Sequence, residues 1–349
     1  MRRGLPFLAP LLVACSGAAP PEVDAMSGRI PIRIGWQTTW ATQGQLAVAM
    51  MKTTLLREHG FEPTFTGFSY GGPLNEGALA GSVDVLFTAD QPAIALGSKG
   101  RNWGIVGRLM ANRVGTFVPP ASPIQTASDL EGRTVVVPFG AAAHRATMGA
   151  IERAGLDPRT QVTVANLGLQ EIVALVGAGA DPETHRWGDT DAAAAWDPAF
   201  ASLEHDGAVR AIDTTTITSV VVMDDRFVAA HPGADLRFMQ AMHTAYDVVR
   251  GDPERAALWF KEESALPFDI GVLERAASVE PNIHAGSAAE IRVHLNPDEL
   301  KTMEAAAAFM LESGLLREAV DLSAILRPQA TVPVSASVAL EQVQVKKLP

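Results

Sequence analysis

Alternation of short apolar strands with amphipathic helices constrains the fold of this chain more than any other feature. Residues 30–35 alternate apolar and polar side chains as a strand does, and a helical pattern covers about residues 45–59. Residues 83–87 predict a second strand, with a helix from about residue 91, and residues 134–137 predict a β-branched strand. This rhythm predicts parallel sheets covered by helices, an α/β architecture.

Capping residues mark several helix ends. Gly60 and Gly155 follow predicted helices, where glycine can take the left-handed conformation that ends a helix. Asp90 precedes the helix from residue 91, and its carboxylate is expected to accept a free N–H of the first turn. The last helix is predicted to start at Asn296 and to stop at Gly314. Its apolar stripe is predicted to be core and consists of Leu300, Met303, Ala307 and Met310.

Length and charge exclude several classes of protein. The chain has 349 residues, enough for two domains of ordinary size. Its net charge is −11 and no basic stripe stands out. We expect no nucleic-acid partner, because neutralising phosphates needs clustered Lys and Arg. Residues 181–190 read as a polar surface insertion, and residues 327–349 as a strand-like or loose tail.

The amino terminus carries the pattern of an export signal. Arg2 and Arg3 precede a short apolar run that ends at Cys15, the only cysteine of the chain. This ending resembles the lipobox of bacterial lipoproteins, in which the cysteine is lipidated and becomes the first mature residue. Residues 1–15 are then the signal peptide, and residues 16–28 a flexible tether. The alternative is a disordered tail with a chance cysteine.

Several segments, in this order, resemble the solute-binding proteins of nitrate, sulfonate, taurine and thiamine-precursor ABC importers, which have the type II periplasmic binding protein fold. They are RIGWQ at 33–37, GGP at 71–73, ALAGSVDV at 78–85, SPI at 122–124, DLEGR at 129–133 and AWDP at 195–198. The resemblance covers roughly residues 29–326. It implies mixed sheets flanked by helices, in two α/β lobes that close on a ligand.

The resemblance also implies boundaries. Lobe 1 would comprise residues 29–115 plus 220–326, and lobe 2 residues 116–219. Two crossover strands would join the lobes near residues 115–118 and 216–221. A ligand that contacts both lobes favours the closed state, whereas a ligand touching one lobe would shift nothing.

Candidate ligand-binding residues lie in loops at the carboxyl ends of the predicted strands, where helix N-termini deliver unpaired N–H groups. Tryptophan rings there could stack on a flat ligand, and Trp196 is a candidate lid. Asp90 is either a helix cap or a ligand contact, and Asp197 either pairs with an amine or caps the following helix. The full set is Trp36, Gln37, Thr39, Trp40, Ser69, Tyr70, Gly71, Asp90, Gln91, Gly140, Ala141, His144, Trp196 and Asp197.

These loops contain no obvious Arg or Lys for a ligand anion. Aromatic rings with one or two carboxylates fit a neutral or cationic, partly flat ligand better, through stacking and cation–π contacts. Helix amides alone can hold an anion, so sulfonate and nitrate remain open.

The sequence favours neither a catalytic nor a metal-binding motif. Residues 67–71 match G-x-S-x-G, but Gly72 and Pro73 are expected to delay the helix that a nucleophilic Ser69 would need. The eight histidines show no metal-binding spacing, and no phosphate-binding loop is present. We therefore expect neither a metal nor another cofactor.

The sequence predicts a lipid-anchored, monomeric solute-binding protein outside the cytoplasm. It would capture a small organic solute or oxyanion of the sulfonate, taurine, nitrate or thiamine-precursor class and deliver it to an ABC permease and its ATPase. The alternatives are a same-fold enzyme, of the kind that makes thiamine pyrimidine or acts in menaquinone biosynthesis, and a ligand-sensing lipoprotein.

Overall fold

The structure, a computed structural model, describes residues 28–100, 102–264 and 266–328. Cys15 and most of the predicted tail therefore lie outside the described residues. The strands are β1 (Ile30–Gln37), β2 (Phe61–Phe68), β3 (Val85–Ala89), β4 (Trp103–Val118), β5 (Thr134–Val137), β6 (Thr163–Asn166), β7 (Ala192–Trp196) and β8 (Arg210–Asp224). Within the described residues they form one eight-stranded sheet in the order β2-β1-β3-β8-β4-β7-β5-β6.

The helices cover both faces of this sheet. They are α1 (Ala41–Lys52), α2 (Leu55–Glu58), α3 (Gly71–Leu79), α4 (Asp90–Gly97), α5 (Ala142–Arg153), α6 (Leu169–Gly177), α7 (Ala199–His205), α8 (Asp225–Ala230), α9 (Ala234–Gly251), α10 (Pro253–Ser264), α11 (Ile270–Ala277), α12 (Pro297–Glu312) and α13 (Leu322–Ile325). Short 3₁₀ helices lie at Ala127–Leu130, Pro281–His284 and Ala288–Glu290. In the part of the chain that the structure describes, none of these helices combines the length and apolar character that crossing a membrane requires.

Strand directions divide the sheet into two parallel parts joined by an antiparallel centre. β1 pairs parallel with β2 and β3, and we call these strands and the helices packed on them the β1 half. β5 pairs parallel with β6 and β7, which form the β5 half with α5, α6 and α7. Between them the two longest strands, β4 and β8, run antiparallel to each other. The α/β prediction is confirmed, but the sheet is mixed rather than wholly parallel because β8 pairs antiparallel with β3, and β4 with β7.

The predicted crossovers fall within the long strands β4 and β8. The strand order agrees with the expected chain path, in which two strands link the halves. The lobe boundaries themselves stay a prediction.

Several predicted helix ends are confirmed. Gly60 and Gly155 have φ of 84° and 83°, the left-handed conformation that glycine takes without strain. The N–H of Leu156 donates to the Ile151 carbonyl at 3.1 Å, which closes the end of α5. Asn296 accepts the N–H of Glu299 at 2.8 Å at the start of α12.

Two predictions were wrong in detail. The helix expected over residues 45–59 starts at Ala41 and is split into α1 and α2, because the Thr53 hydroxyl donates to the Ala49 carbonyl at 2.6 Å and competes with the helix. Residues 181–190 are not simply a surface insertion. Trp187 is buried there and packs edge-on against Phe117, since a large ring in a polar loop still gains from burial.

Candidate functional site

A cavity of about 810 Å³ lies at the carboxyl ends of the parallel strands, between the β1 half and the β5 half. Loops after β1, β2 and β3 supply one wall, and loops after β5, β6 and β7 supply the other. This is where an open parallel sheet binds ligands. Ile217 of β8, Met310 of α12 and Leu315 just after α12 complete the lining.

The cavity brings together most of the residues predicted from the sequence. Those that line it are Gln37, Thr39, Trp40, Ser69, Tyr70, Gly71, Gln91, Gly140, Ala141 and Trp196. Four predicted residues do not line it: Trp36, Asp90, His144 and Asp197. Each of these four has a partner elsewhere.

Trp36 and His144 belong to packed surfaces. The Trp36 ring lies in the core, edge-on to Phe260 with centroids 6.4 Å apart. His144 of α5 stacks on Phe139 at 4.4 Å and meets Phe309 of α12 edge-on at 5.3 Å. Burial lowers the pKa of His144, so the ring is held neutral between the two halves.

Asp90 forms an ion pair across the two halves. It is fully buried at the start of α4, where it accepts the N–H of Gln91 at 2.7 Å and pairs with Arg145 of α5. Arg145 also donates to the Gln91 side chain at 3.3 Å, and that side chain in turn donates to the Gly140 carbonyl at 3.5 Å. Burial raises the pKa of Asp90, against the opposing effect of Arg145. The carboxylate is therefore not available to a ligand amine. It accepts an N–H of the first turn as predicted, but Asp90 is the first residue of α4 and not its N-cap, which is Ala89.

Asp197 is also occupied. Its carboxylate accepts two hydrogen bonds from Arg113 of β4, at 2.9 and 3.1 Å, and caps α7 by accepting the N–H of Ala201 at 3.0 Å. Arg113 reaches Glu204 of α7 as well and lies over the Phe200 ring. Burial raises the pKa of Asp197, and the Arg113 bonds oppose that rise. Of the two roles left open for Asp197, the structure therefore shows the cap, with an arginine in place of an amine ligand.

Helix N-termini converge on the cavity without side-chain caps. This holds for α1 after Trp40, for α3 after Tyr70 and for α5 after Ala141. Their first N–H groups have no intrahelical partner and carry the positive end of the helix dipole. Gly140, which precedes α5, has a φ of 77°, a conformation that other residues rarely adopt. The three ends together can hold a negatively charged group without a Lys or Arg side chain.

Hydrogen bonds fix the loop after β1. Gln43 of α1 accepts the N–H of Gln37 at 3.2 Å and donates to the Trp40 carbonyl at 2.8 Å. Thr39 donates to the Ser69 carbonyl at 2.7 Å and so ties this loop to the one after β2. The Trp40 indole lines the cavity with only 3% of the residue exposed, and its Nε1 has no hydrogen-bond partner among the described residues. The wall on this side is preformed.

Part of the opposite wall consists of residues that were not predicted. Residues after β6 line the cavity, and they were not expected there because β6 itself was not predicted. The residues of β6 are half-buried or exposed and show no apolar run. Asn166 at its end accepts the N–H of Phe139 at 2.9 Å and joins two loops. Met310 was assigned to the core through its stripe, and it also faces the cavity. Arg145 was not predicted, although it directly follows His144, because its partner Asp90 is distant in the sequence.

Neither a metal centre nor a serine nucleophile is assembled here. Among the described residues, no group of three or more His, Cys, Asp or Glu side chains could hold a metal ion. α3 begins at Gly71, earlier than expected, because both glycines and Pro73 join its first turn. Within the described residues, no hydrogen bond joins the Ser69 hydroxyl to a histidine.

Two binding proteins are similar to this chain over most of its length. The taurine-binding periplasmic protein of Escherichia coli (strain K12) is 24% identical over 299 residues, which are 83% of this chain and 85% of that protein. The alkanesulfonate-binding protein SsuA from Xanthomonas axonopodis pv. citri, solved with bound MOPS, superposes with a TM-score of 0.68 at 22% identity. It covers 85% of this chain and 98% of its own.

An enzyme shares the same fold. The desulfurization enzyme DSZB, solved as a variant in complex with biphenyl-2-sulfinic acid, superposes with a TM-score of 0.66 at 16% identity, covering 86% of this chain and 97% of its own. At this identity the likeness shows the fold alone, which is the type II periplasmic binding protein fold expected from the sequence.

The family follows from a separate comparison. The profile described as NMT1/THI5 like matches residues 76–256, just over half of the chain. The matched region runs from α3 to α10 and includes both long strands, β4 and β8. The chain belongs to the NMT1/THI5-like family of solute-binding proteins.

Proposed function

We propose that this protein captures an organic sulfonate, or a related oxyanion, outside the cytoplasm and delivers it to an ABC permease. The observation that carries the proposal is the cavity between the two halves, with three uncapped helix N-termini at its wall. The names of the taurine- and alkanesulfonate-binding relatives support the same ligand class.

The charge of the wall favours an anion over a cation. Asp90 and Asp197, the carboxylates that had suggested a cationic ligand, are each paired with an arginine off the wall. Arg145 and Arg113 are equally occupied by those pairs. The ligand charge is therefore left to the helix N–H groups, which favour negative charge.

Binding would proceed by closure of two lobes, residues 29–115 plus 220–326 and residues 116–219. The cavity wall contains residues of both, for example Tyr70 on one side and Phe139 on the other. A ligand that contacts both lobes stabilises the closed state by its difference in affinity between the two states. The Asp90–Arg145 pair would help to hold the lobes together once they meet.

The protein would bind its ligand without transforming it. Ser69 has no histidine partner within the described residues, and its carbonyl, not its hydroxyl, bonds to Thr39. Two partners are consistent with such a protein: a permease with its ATPase, or a sensor that reads the closed form. A permease gene beside this one would favour import, and a histidine kinase gene would favour sensing.

Titration calorimetry on the purified protein tests the ligand class. We expect sulfonates to bind at micromolar concentration, a free energy of roughly −8 kcal/mol. The alcohol with the same carbon chain should bind far more weakly, since it lacks the charge. Binding of nitrate but of no sulfonate would overturn the proposal, as would turnover of a bound sulfonate.

A substitution tests the position of the ligand. Trp196 lines the cavity at the end of β7, and Trp196→Ala should weaken sulfonate binding at least several-fold. Leu258→Ala, at an exposed site on α10, is the control. Equal affinities of the two variants would remove Trp196 from the site.

We further propose that Cys15 is lipidated and anchors the protein to a membrane. The support is the order of Arg2, Arg3, the short apolar run and the cysteine. Cells that express the protein should incorporate labelled palmitate into it, and Cys15→Ala should abolish the label while Ser16→Ala retains it. Labelling that survives Cys15→Ala would contradict the anchor.

A further inference from the structure

The volume of the cavity is larger than a short sulfonate would fill. Its volume of about 810 Å³ lies in the upper part of the range of pockets that enclose drug-sized ligands, about 300–1,000 Å³. A two-carbon ligand such as taurine would fill only a small part of it. The remaining volume would stay filled with water that gains nothing from an apolar wall.

The wall of the cavity is mainly apolar, and both halves contribute to it. The large apolar side chains are those of Trp40, Tyr70, Phe139, Leu169, Trp196 and Met310. Phe139 and Tyr70 are exposed in this structure, at 47% and 54%, so their rings are accessible to a ligand in the cavity. Such a wall is complementary to an aromatic or long aliphatic body.

A ligand ammonium group meets a single carboxylate among the described lining residues. It belongs to Glu171 of α6, whose Oε2 accepts the N–H of Gly168 at 2.7 Å as a helix cap. Glu171 is exposed, so a contact with it is screened by water and contributes little. The taurine ammonium would therefore gain little on this wall in exchange for its hydration.

From the volume, the apolar wall and this single, solvent-screened carboxylate, we infer that the cavity selects sulfonates with a bulky apolar body and discriminates against taurine. The inference rests on the proposed function, because it names the ligand class of the same site. It assigns the anionic head to the helix ends and the apolar body to the aromatic wall.

A calorimetric series of taurine, ethanesulfonate, octanesulfonate and naphthalene-2-sulfonate tests this selection. We expect the affinity to rise from ethanesulfonate to octanesulfonate by at least tenfold, since each methylene that becomes buried contributes roughly fourfold. Naphthalene-2-sulfonate should bind as tightly as octanesulfonate, and taurine no more tightly than ethanesulfonate.

A pair of matched variants locates the apolar body. Leu315 and Leu311 have nearly equal exposure, 40% and 39%, but only Leu315 is among the lining residues. Leu315→Ala should weaken octanesulfonate several-fold and leave ethanesulfonate unchanged, whereas Leu311→Ala should change neither.

The outcomes separate this inference from the proposed function. Taurine binding as tightly as octanesulfonate would overturn the inference, for instance if the aromatic faces held its ammonium, and would leave the proposed function standing. Failure of every sulfonate to bind would overturn the proposed function and the inference with it. Equal effects of the two leucine variants on octanesulfonate would place the apolar body elsewhere and overturn the assignment of the wall.

Discussion

Two buried aspartate–arginine pairs lie beside the cavity, and they differ in what they join. Asp90 and Arg145 connect α4 of the β1 half to α5 of the β5 half. Asp197 and Arg113 connect the end of β7 to its neighbouring strand β4, and a helix cap and an aromatic contact reinforce them. The chemistry is the same, but one pair spans the gap between the halves and the other lies within a continuous set of paired strands.

This difference determines which equilibrium each pair controls. Breaking a buried ion pair strongly destabilises the folded protein when the remaining charge has no way to reach water. Asp197 has no such way, because its side chain is fully buried and its backbone N–H is held by the Arg113 carbonyl of β4 at 3.1 Å. Asp90 can become hydrated if the halves separate. We therefore expect the first pair to govern folding and the second to govern opening.

The largest effect is expected from Arg113→Met. The substitution leaves the fully buried Asp197 without its bidentate partner, and it should lower the free energy of unfolding by about 3–5 kcal/mol. Urea unfolding followed by circular dichroism measures this. The double variant with Asp197→Asn should regain part of the loss, because no uncompensated charge remains buried. A loss below about 1 kcal/mol would mean that water reaches Asp197 after all.

Arg145→Met should act on binding more than on folding. Removing the pair between the halves makes the closed arrangement less favourable, and we expect about tenfold weaker binding of octanesulfonate, or about 1.4 kcal/mol. Calorimetry gives the affinity, and small-angle scattering of the ligand-free protein should show a larger radius of gyration than in the parent. The loss of folding stability should be smaller than with Arg113→Met.

The control for this prediction is the other pair. Arg113→Met should weaken octanesulfonate binding by less than Arg145→Met does, since Arg113 lies on β4 beside the proposed lobe boundary, where the pairing of β4 with β7 is expected to persist whether the cavity is open or closed. If Arg113→Met had the greater effect on affinity and Arg145→Met none, the assignment of the two pairs would be reversed.

The sequence predicted the helices and strands better than the ion pairs between them. Strand β5 and the capping of α12 by Asn296 depend on neighbouring residues only, and both were found from local patterns. The break after α1 was missed because it depends on one hydroxyl, Thr53, competing for a carbonyl. β6 was missed because its side chains are not buried, so apolar periodicity gave no signal.

At the site, the sequence located the loops but could not tell which side chains point into the cavity. Asp90 and Asp197 each directly follow the last residue of a strand, which made them candidates for a ligand contact. Arg145 lies 55 residues from Asp90 and Arg113 lies 84 residues from Asp197, and no local pattern predicts such pairs. Both carboxylates are bound by these distant arginines and therefore do not face the cavity.

His144 adds a smaller, pH-dependent contribution at the same boundary as Asp90 and Arg145. Its ring lies between Phe139 of the β5 half and Phe309 of α12, and burial lowers its pKa below the ordinary value of about 6.5. An opened or unfolded protein therefore binds the proton more readily than the closed one. The contribution of His144 to closure is present in full above pH 6.5 and is lost as the pH falls through the lowered pKa.

The affinity for octanesulfonate should accordingly be constant above the ordinary histidine pKa of about 6.5 and decrease as the pH falls below it. The sulfonate stays ionised throughout this range, so the ligand itself contributes no pH dependence. Calorimetry at four pH values measures the profile, and His144→Gln should flatten it because the amide does not titrate. If the profile of His144→Gln kept the full slope, the proton would be taken up elsewhere, and the boundary between the halves would be held by Asp90 and Arg145 without help from the histidine.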